Sequence, residues 1–318
     1  MMPRIAAWMS AIGMLLLGMG AAVGQNYPYR PIRILASQPG AQVDLSARLI
    51  AQGLAPSLGQ PVIVDNRTGI IAIETAAKAP PDGYTLLMYT SAVWVLPLLQ
   101  KVPFDPIKDL SPVALATNAP LFLFAHPSVP AKTVKDLIVL AKARPGELNY
   151  GSAGSGTTNH LAAELFKRMA GVDIVWVPYK GSVPAAVGLV ANQVQVMFVS
   201  AAVGMPQVKA GRLRVLAVAS AQPSALAPDV PTVAASGLPG YEAASMSGIW
   251  VPAGTPKALV NRLSQEILRV LNSADVKEKL ISSGVDPIGA SPEQAAAYIK
   301  SDMVKWDKLI KDAGIRRD

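Results

Sequence analysis

The chain has 318 residues, with 29 Lys and Arg against 21 Asp and Glu, two histidines and no cysteine. The absence of cysteine excludes a disulfide framework, thiol catalysis and thiolate metal sites, and two histidines are too few for a metal cluster, so neither metal nor cofactor is expected. The formal charge of +8 is scattered along the chain, which argues against a nucleic-acid partner and leaves a solvated surface with a weak pull on anions.

Residues 1–24 stand apart from the rest. They hold a single charge, Arg4, then the apolar stretch Ala11–Leu17, then Ala22 and Gly24 at the −3 and −1 positions of a cleavage site. That pattern reads as a secretory signal peptide, with an uncleaved anchor as the alternative, for which the apolar run is short against a membrane span of ~20 residues. Cleavage near Gly24 would place the mature chain, 25–318, in a periplasm. That length suggests two domains of ~150 residues each.

Ile32–Ala36 is rich in strand formers and ends before Pro39-Gly40. Ala47, Ile50, Leu54 and Leu58 then recur at helical spacing, and Gly59 closes that helix. Pro61–Val64 reads as a strand, Ala72–Ala79 as a helix and Tyr84–Tyr89 as a strand. A second unit opens at Leu121–Phe124. Thr133 and Asp136 form a capping box for a helix burying Val134, Leu137, Ile138 and Ala141. Leu161, Leu165 and Met169 mark the face of the next helix. Strands are expected at Ile174–Val177, Val194–Val199 and Leu213–Ala219. In the helical C-terminal part, Thr255 and Ser291 are expected as N-caps before first-turn prolines, Gln294 completing a box with Ser291. Ile299, Met303, Trp306 and Ile310 give the buried face of the last helix. This alternation predicts an α/β fold with largely parallel sheets, in two lobes joined by crossing strands.

Two strand-to-helix junctions stand out: Ser37–Asp44 and Gly151–His160. Glycine lets the backbone approach a ligand closely, and a helix's first turn offers N–H groups without intrahelical partners. One junction in each lobe makes two anion-accepting surfaces that could face across a cleft. A purely structural turn remains the alternative for each. Gly154-x-Gly156 is followed by Asn159 where a dinucleotide fingerprint has glycine or alanine, which argues against NAD. Neither a phosphate-binding loop nor a Gly-x-Ser-x-Gly elbow occurs. His126, before Pro127, reads as a turn residue, and His160 as a first-turn structural residue. Asp44 could meet a positive ligand group or simply stabilise its helix N-terminus. Trp94 and Tyr179 could line a pocket, with the core as the default reading for a lone aromatic.

The order of motifs resembles the substrate-binding proteins of tripartite tricarboxylate transporters, the Bug family, over essentially the whole mature chain. The matching segments include Leu58-Gly59-Gln60-Pro61-Val62, Asp65-Asn66-Arg67, Pro80-Pro81-Asp82-Gly83-Tyr84-Thr85-Leu86, Leu148-Asn149-Tyr150-Gly151-Ser152, Val177-Pro178-Tyr179-Lys180-Gly181 and Pro252-Ala253-Gly254-Thr255-Pro256. The resemblance implies a two-lobed, type II Venus-flytrap binding protein with lobes 25–125 plus 248–318 and 126–247. It implies a monomer and no enzyme, capturing a small organic acid for membrane permease subunits or a membrane sensor. Carried over residue by residue, the ligand-binding set is Gln38, Pro39, Gly40, Ala41, Gln42 and Asp44 in the first lobe, with Ser91 after the third strand. In the second lobe it is Ser155, Gly156, Thr157, Thr158, Asn159 and Ser200. The family's Pro-Pro-Gly-Gly-Gly-Thr-Asp junction is here Gln38-Pro39-Gly40-Ala41-Gln42-Val43-Asp44, so side chains stand where bare backbone meets the ligand. The loop after Arg67 is shortened to Thr68–Ile71. A sensory adaptor with altered or lost binding, and a periplasmic hydrolase using Ser155 beside His160, are the rival readings.

Overall fold

A computed structural model describes residues 27–67 and 69–315. The expected signal peptide, 1–24, lies outside them, as does Thr68. In the first half, β1 (Ile32–Ala36) runs parallel to both β2 (Val62–Asn66) and β3 (Thr85–Thr90). Helix α1 (Gln42–Leu58) links β1 to β2 and buries Val43, Ala47, Ile50, Leu54 and Leu58. Gly59 ends it in a left-handed conformation, φ 65°, where glycine carries no steric penalty. Helix α2 (Ile70–Ala77) leads back to β3.

Two elements that follow escape the periodicity. Helix α3 (Ala92–Leu99) has the sequence AVWVLPLL, which contains no polar residue to mark an outer face. Strand β4 (Leu110–Ala125) begins eleven residues before the expected Leu121. Pro112 and Pro120 disguise it, since proline lacks a ladder N–H and signals an edge or a break. Pro112 adjoins a register shift, and Pro120 is the last residue to pair with the neighbouring strand of the first half. Both prolines therefore stand where the ladder is interrupted.

The second half carries α4 (Val134–Ala143), β5 (Asn149–Ser152), α5 (Thr158–Ala170), β6 (Val175–Pro178), α6 (Ser182–Val190), β7 (Val196–Ser200), α7 (Ala201–Lys209) and β8 (Arg214–Val218). The chain returns through β9 (Ala244–Pro252) to α8 (Lys257–Asn272), α9 (Ala274–Ser282), β10 (Asp286–Ala290) and α10 (Pro292–Ala313). Residues 110–120 of β4 pair antiparallel with β9, which pairs with β3, while β10 flanks β4 near Thr117 and Asn118. Residues 121–125 of β4 lie instead between β7 and β8. One strand thus threads both halves. The sheet is mixed rather than largely parallel. Among the described strands, β2-β1-β3 and β6-β5-β7 are the parallel sets, because β4 leaves the first half and β9 re-enters it in the opposite direction.

Thr133 and Ser291 head full capping boxes on α4 and α10. Thr255 does not cap α8: its hydroxyl donates to the Pro252 carbonyl at 2.7 Å and closes the turn after β9. Met169 is 38 % exposed, because position i+8 on a helix has drifted ~80° from position i. Phe166 and Ala170 take its place on the buried face of α5.

The C-terminal helix α10 fastens the halves together. Trp306 and Ile310 enter the core shared with Trp94 and Trp250. Lys305 Nζ donates to the Glu242 carbonyl at 3.0 Å, Tyr298 Oη donates to Glu242 at 3.2 Å, and Asp312 pairs with Arg168 of α5.

Candidate functional site

Where the halves meet, two recesses adjoin. The first, of about 280 Å³, is bounded by Gln42 at the start of α1, by Ala153, Thr157, Thr158 and Asn159 at the β5–α5 junction, and by Ser182 at the start of α6. Ser200 before α7, Ser245 on β9, and Ala119 and Leu121 flanking the sheet switch complete it, with Val199 beside Ser200. The second, of about 230 Å³, is bounded by Thr90, Ser91 and Ala92 at the start of α3, by Val95, Leu96 and Leu99 along it, by Gly156 and Leu161, and by Ala244 and Trp306. Both include Thr157 and Thr158.

The starts of α1, α3, α5, α6 and α7 therefore border these recesses, and none of the five has a side-chain cap. In α5 the first amide with an intrahelical acceptor is Leu161, bonded to Thr157 O at 2.9 Å. The N–H groups of Thr158, Asn159 and His160 precede it, at the positive end of the helix dipole. Among the described residues, neither recess has Lys, Arg, Asp or Glu in its wall. An anion here would be held by neutral donors, each charge-assisted hydrogen bond contributing about 1.5–3 kcal/mol. Thr157 contributes backbone rather than hydroxyl, since its Oγ1 donates to Gly154 O at 2.7 Å. Asn159 Nδ2 donates to Ser182 Oγ at 3.1 Å, tying α5 to α6.

The structure brings Gln42, Ser91, Gly156, Thr157, Thr158, Asn159 and Ser200 of the expected set to the recess walls. It leaves Gln38, Pro39 and Gly40 exposed, with Ala41 beside them, and Ser155 in the turn between Gly154 and Gly156. Asp44 is buried, 2 % exposed. Its carboxylate accepts from Gly40 N at 2.9 Å, Asn66 Nδ2 at 2.7 Å and Arg48 Nε at 3.2 Å. It shapes the junction, of which Gln42 is the residue that reaches the recess wall. Gln42 Nε2 lies 3.5 Å from the carbonyls of Ser283 and Gly284. Burial acts to raise the Asp44 pKa, but the bonds from Asn66, Arg48 and Gly40 outweigh it and hold the carboxyl below the usual range. A depressed carboxyl stabilises the fold above its unfolded pKa of ~3.9 and loses that contribution as pH falls through the folded value. Asp44→Ala is expected to cost about 2–3 kcal/mol at pH 7 and to remove this acid-side component, read by urea unfolding at pH 7 and below pH 4.

His160 holds the second junction. Its Nδ1 accepts from Gly156 N at 3.1 Å, and its ring stacks 4.2 Å from Trp176, whose Nε1 donates to Ser152 Oγ at 2.8 Å. The lone pair a general base would use is thus directed at a backbone amide. Burial, with a smaller push from Lys167 and against the pull of Glu164, depresses the His160 pKa. Its neutral form contributes fully above the ordinary value of ~6.5 and the contribution is lost as pH falls toward the lower folded value. His160→Phe retains the stacking but not the acceptor. It should cost about 1–2 kcal/mol and flatten stability against pH below 6.5 in thermal unfolding.

The other aromatic and histidine expectations divide. Trp94 is fully buried. Tyr179 is only partly buried, packing against Gly188 with its Oη on Gln193 Oε1 at 3.2 Å, and His126 lies 2.7 Å from Ser128 Oγ in a turn. Among the described residues no group of three or more His, Asp or Glu could hold a metal, and no helix is long and apolar enough to cross a membrane. The wall residues that sequence reasoning missed include Ala119, Ser182, Ser245, Ala244 and Trp306, with the face of α3. Only Gly181 before Ser182 gave a local signal.

The family described as tripartite tricarboxylate transporter family receptor matches residues 46–315. Protein BugT of Bordetella pertussis is 33 % identical over 318 residues, 97 % of this chain and 98 % of its own. A protein of R. palustris solved with adipate is 36 % identical, with a TM-score of 0.72 over 91 % of this chain and 99 % of its own. MatC from Rhodopseudomonas palustris, with bound malate, is 29 % identical, with a TM-score of 0.67 over 89 % of this chain and 100 % of its own.

Proposed function

Because this chain belongs to the tripartite tricarboxylate transporter receptor family, we propose that it is a periplasmic solute-binding protein that captures a small organic carboxylate between its lobes. The observation that carries this reading is the set of helix starts without a side-chain cap, those of α1, α5, α6 and α7, bordering one cleft in whose walls no ionised side chain stands among the described residues. The adipate and malate held by its structural neighbours support the class of ligand. Gln42, Ser91, Gly156, Thr157, Thr158, Asn159 and Ser200 are the residues assigned to contact it. The lobes, 25–125 with 248–318 and 126–247, close on the acid by bending of β4 and β9, and the monomer then delivers it to membrane permease subunits.

Calorimetry of the mature protein against a broad panel of carboxylates, amines and sugars tests the reading. Binding confined to carboxylates is expected. Saturable binding of amines or sugars with none of acids would refute it. N-terminal sequencing of the exported protein should begin at Gln25. Uptake into proteoliposomes holding the permease subunits tests delivery, and a partner bound without any effect of small ligands would favour the adaptor reading instead.

A further inference from the structure

We propose that the acid captured here has an apolar body, and that the recess beneath α3 is the site that takes it; this rests on the carboxylate reading above. The two recesses share the start of α5 at Thr157 and Thr158, so one molecule can place its charged head against those amides and extend either way. The walls beyond that point differ in their balance of polar and apolar groups. Toward α6 and α7, Asn159, Ser182, Ser200 and Ser245 stand with Ala119, Leu121 and Val199. Toward α3, Val95, Leu96, Leu99, Leu161 and Trp306 predominate, with Thr90 and Ser91 at the start of the helix.

A second carboxylate in the α3 recess would meet few donors. At the start of α3, Ser91 N already donates to Met246 O at 2.7 Å and Ala92 N lies 3.3 Å from Thr90 Oγ1. Among the described residues no cation lines the recess, and a carboxylate stripped of water there would have only the hydroxyls of Thr90 and Ser91 to compensate it. An apolar group suits the space: about 230 Å³, against ~150 Å³ for an engineered apolar cavity that accepts benzene. A six-membered ring or a chain of about five or six carbons fills it.

The test is calorimetry of the mature protein with linear monocarboxylates from propanoate to octanoate, and with succinate and adipate. Affinity should rise about three- to fourfold per methylene until the recess is full, and hexanoate should bind at least tenfold more tightly than adipate. Val95→Thr, which keeps the volume and adds a hydroxyl, should cut the gain to less than twofold per methylene. Leu96→Gln, at a half-buried position, should do the same, with circular dichroism confirming that both variants fold. Adipate binding more tightly than hexanoate, or a gain per methylene unchanged in both variants, overturns the inference while the carboxylate reading stands. If no acid binds at all, both fall.

Discussion

Asp302→Ala is expected to destabilise the protein by about 3–5 kcal/mol, the range for stripping a partner from a buried charge network. Asp302 is 6 % exposed. Its Oδ2 accepts the indole N–H of Trp94 at 2.8 Å and that of Trp306 at 2.9 Å, and its Oδ1 lies 2.6 Å from Lys305 Nζ. Truncation leaves two buried N–H donors without an acceptor and an ammonium without its counter-charge. Each orphaned donor costs about 1–3 kcal/mol. Asp302→Asn separates the terms, since its amide oxygen can still accept both indoles while its NH₂ faces Lys305. Its loss should be intermediate. Urea unfolding followed by tryptophan fluorescence reads both variants, and an alanine variant within 1 kcal/mol of the parent would rule this account out. The same carboxylate anchors α3 to α10, so the alanine variant should also weaken binding of acids that reach the α3 recess.

That network is absent from any local reading of the chain, and the reason is general. Patterns complete within one turn or one strand were legible: the run of strand formers in Ile32–Ala36, the glycine stop at Gly59, and the boxes headed by Thr133 and Ser291. Asp302 and Trp94 lie 208 positions apart, and their partnership is decided by the packing of α10 on α3. Strand β4 was half legible. Its second part, near Leu121, is a clean apolar run, while Pro112 and Pro120 sit at ladder interruptions that only the positions of β9 and β7 explain.

The candidate site divides in the same way. Gly154, Gly156, Thr157 and Thr158 announce a helix entrance in sequence, and the structure places that entrance at the meeting of both recesses. The equally conspicuous Gln38–Ala41 stretch is largely exposed, and its form is fixed by the bonds of Asp44 to Gly40 and Asn66. A loop's composition says that it can approach a ligand. How it is held depends on a residue 22 positions away.

Gly156 is the position where backbone freedom and the meeting of the two halves coincide. Its φ is +68°, and a Cβ there would lie 3.0 Å from Leu99 Cδ1 and 3.4 Å from Cδ2. Gly156→Ala incurs ~1–2 kcal/mol for the left-handed conformation, with a smaller steric part because the Leu99 methyls can yield. Gly156→Val adds a β-branch that this conformation rejects. The loop must then shift, taking with it the Gly156 N–H bond to His160 and the amides at the start of α5. Loss of one charge-assisted bond to the ligand corresponds to a ten- to 150-fold rise in Kd. Gly156→Val is therefore expected to weaken acid binding at least tenfold, and Gly156→Ala less. Adding Leu99→Ala to Gly156→Ala should recover the steric part and leave the conformational part, which a double-mutant cycle on both stability and Kd resolves. If Gly156→Val folded and bound acids as tightly as the parent, the α5 entrance could not be where the carboxylate sits. Weakened binding with stability lowered by only the conformational cost would place the start of α5 in direct contact with the charged head.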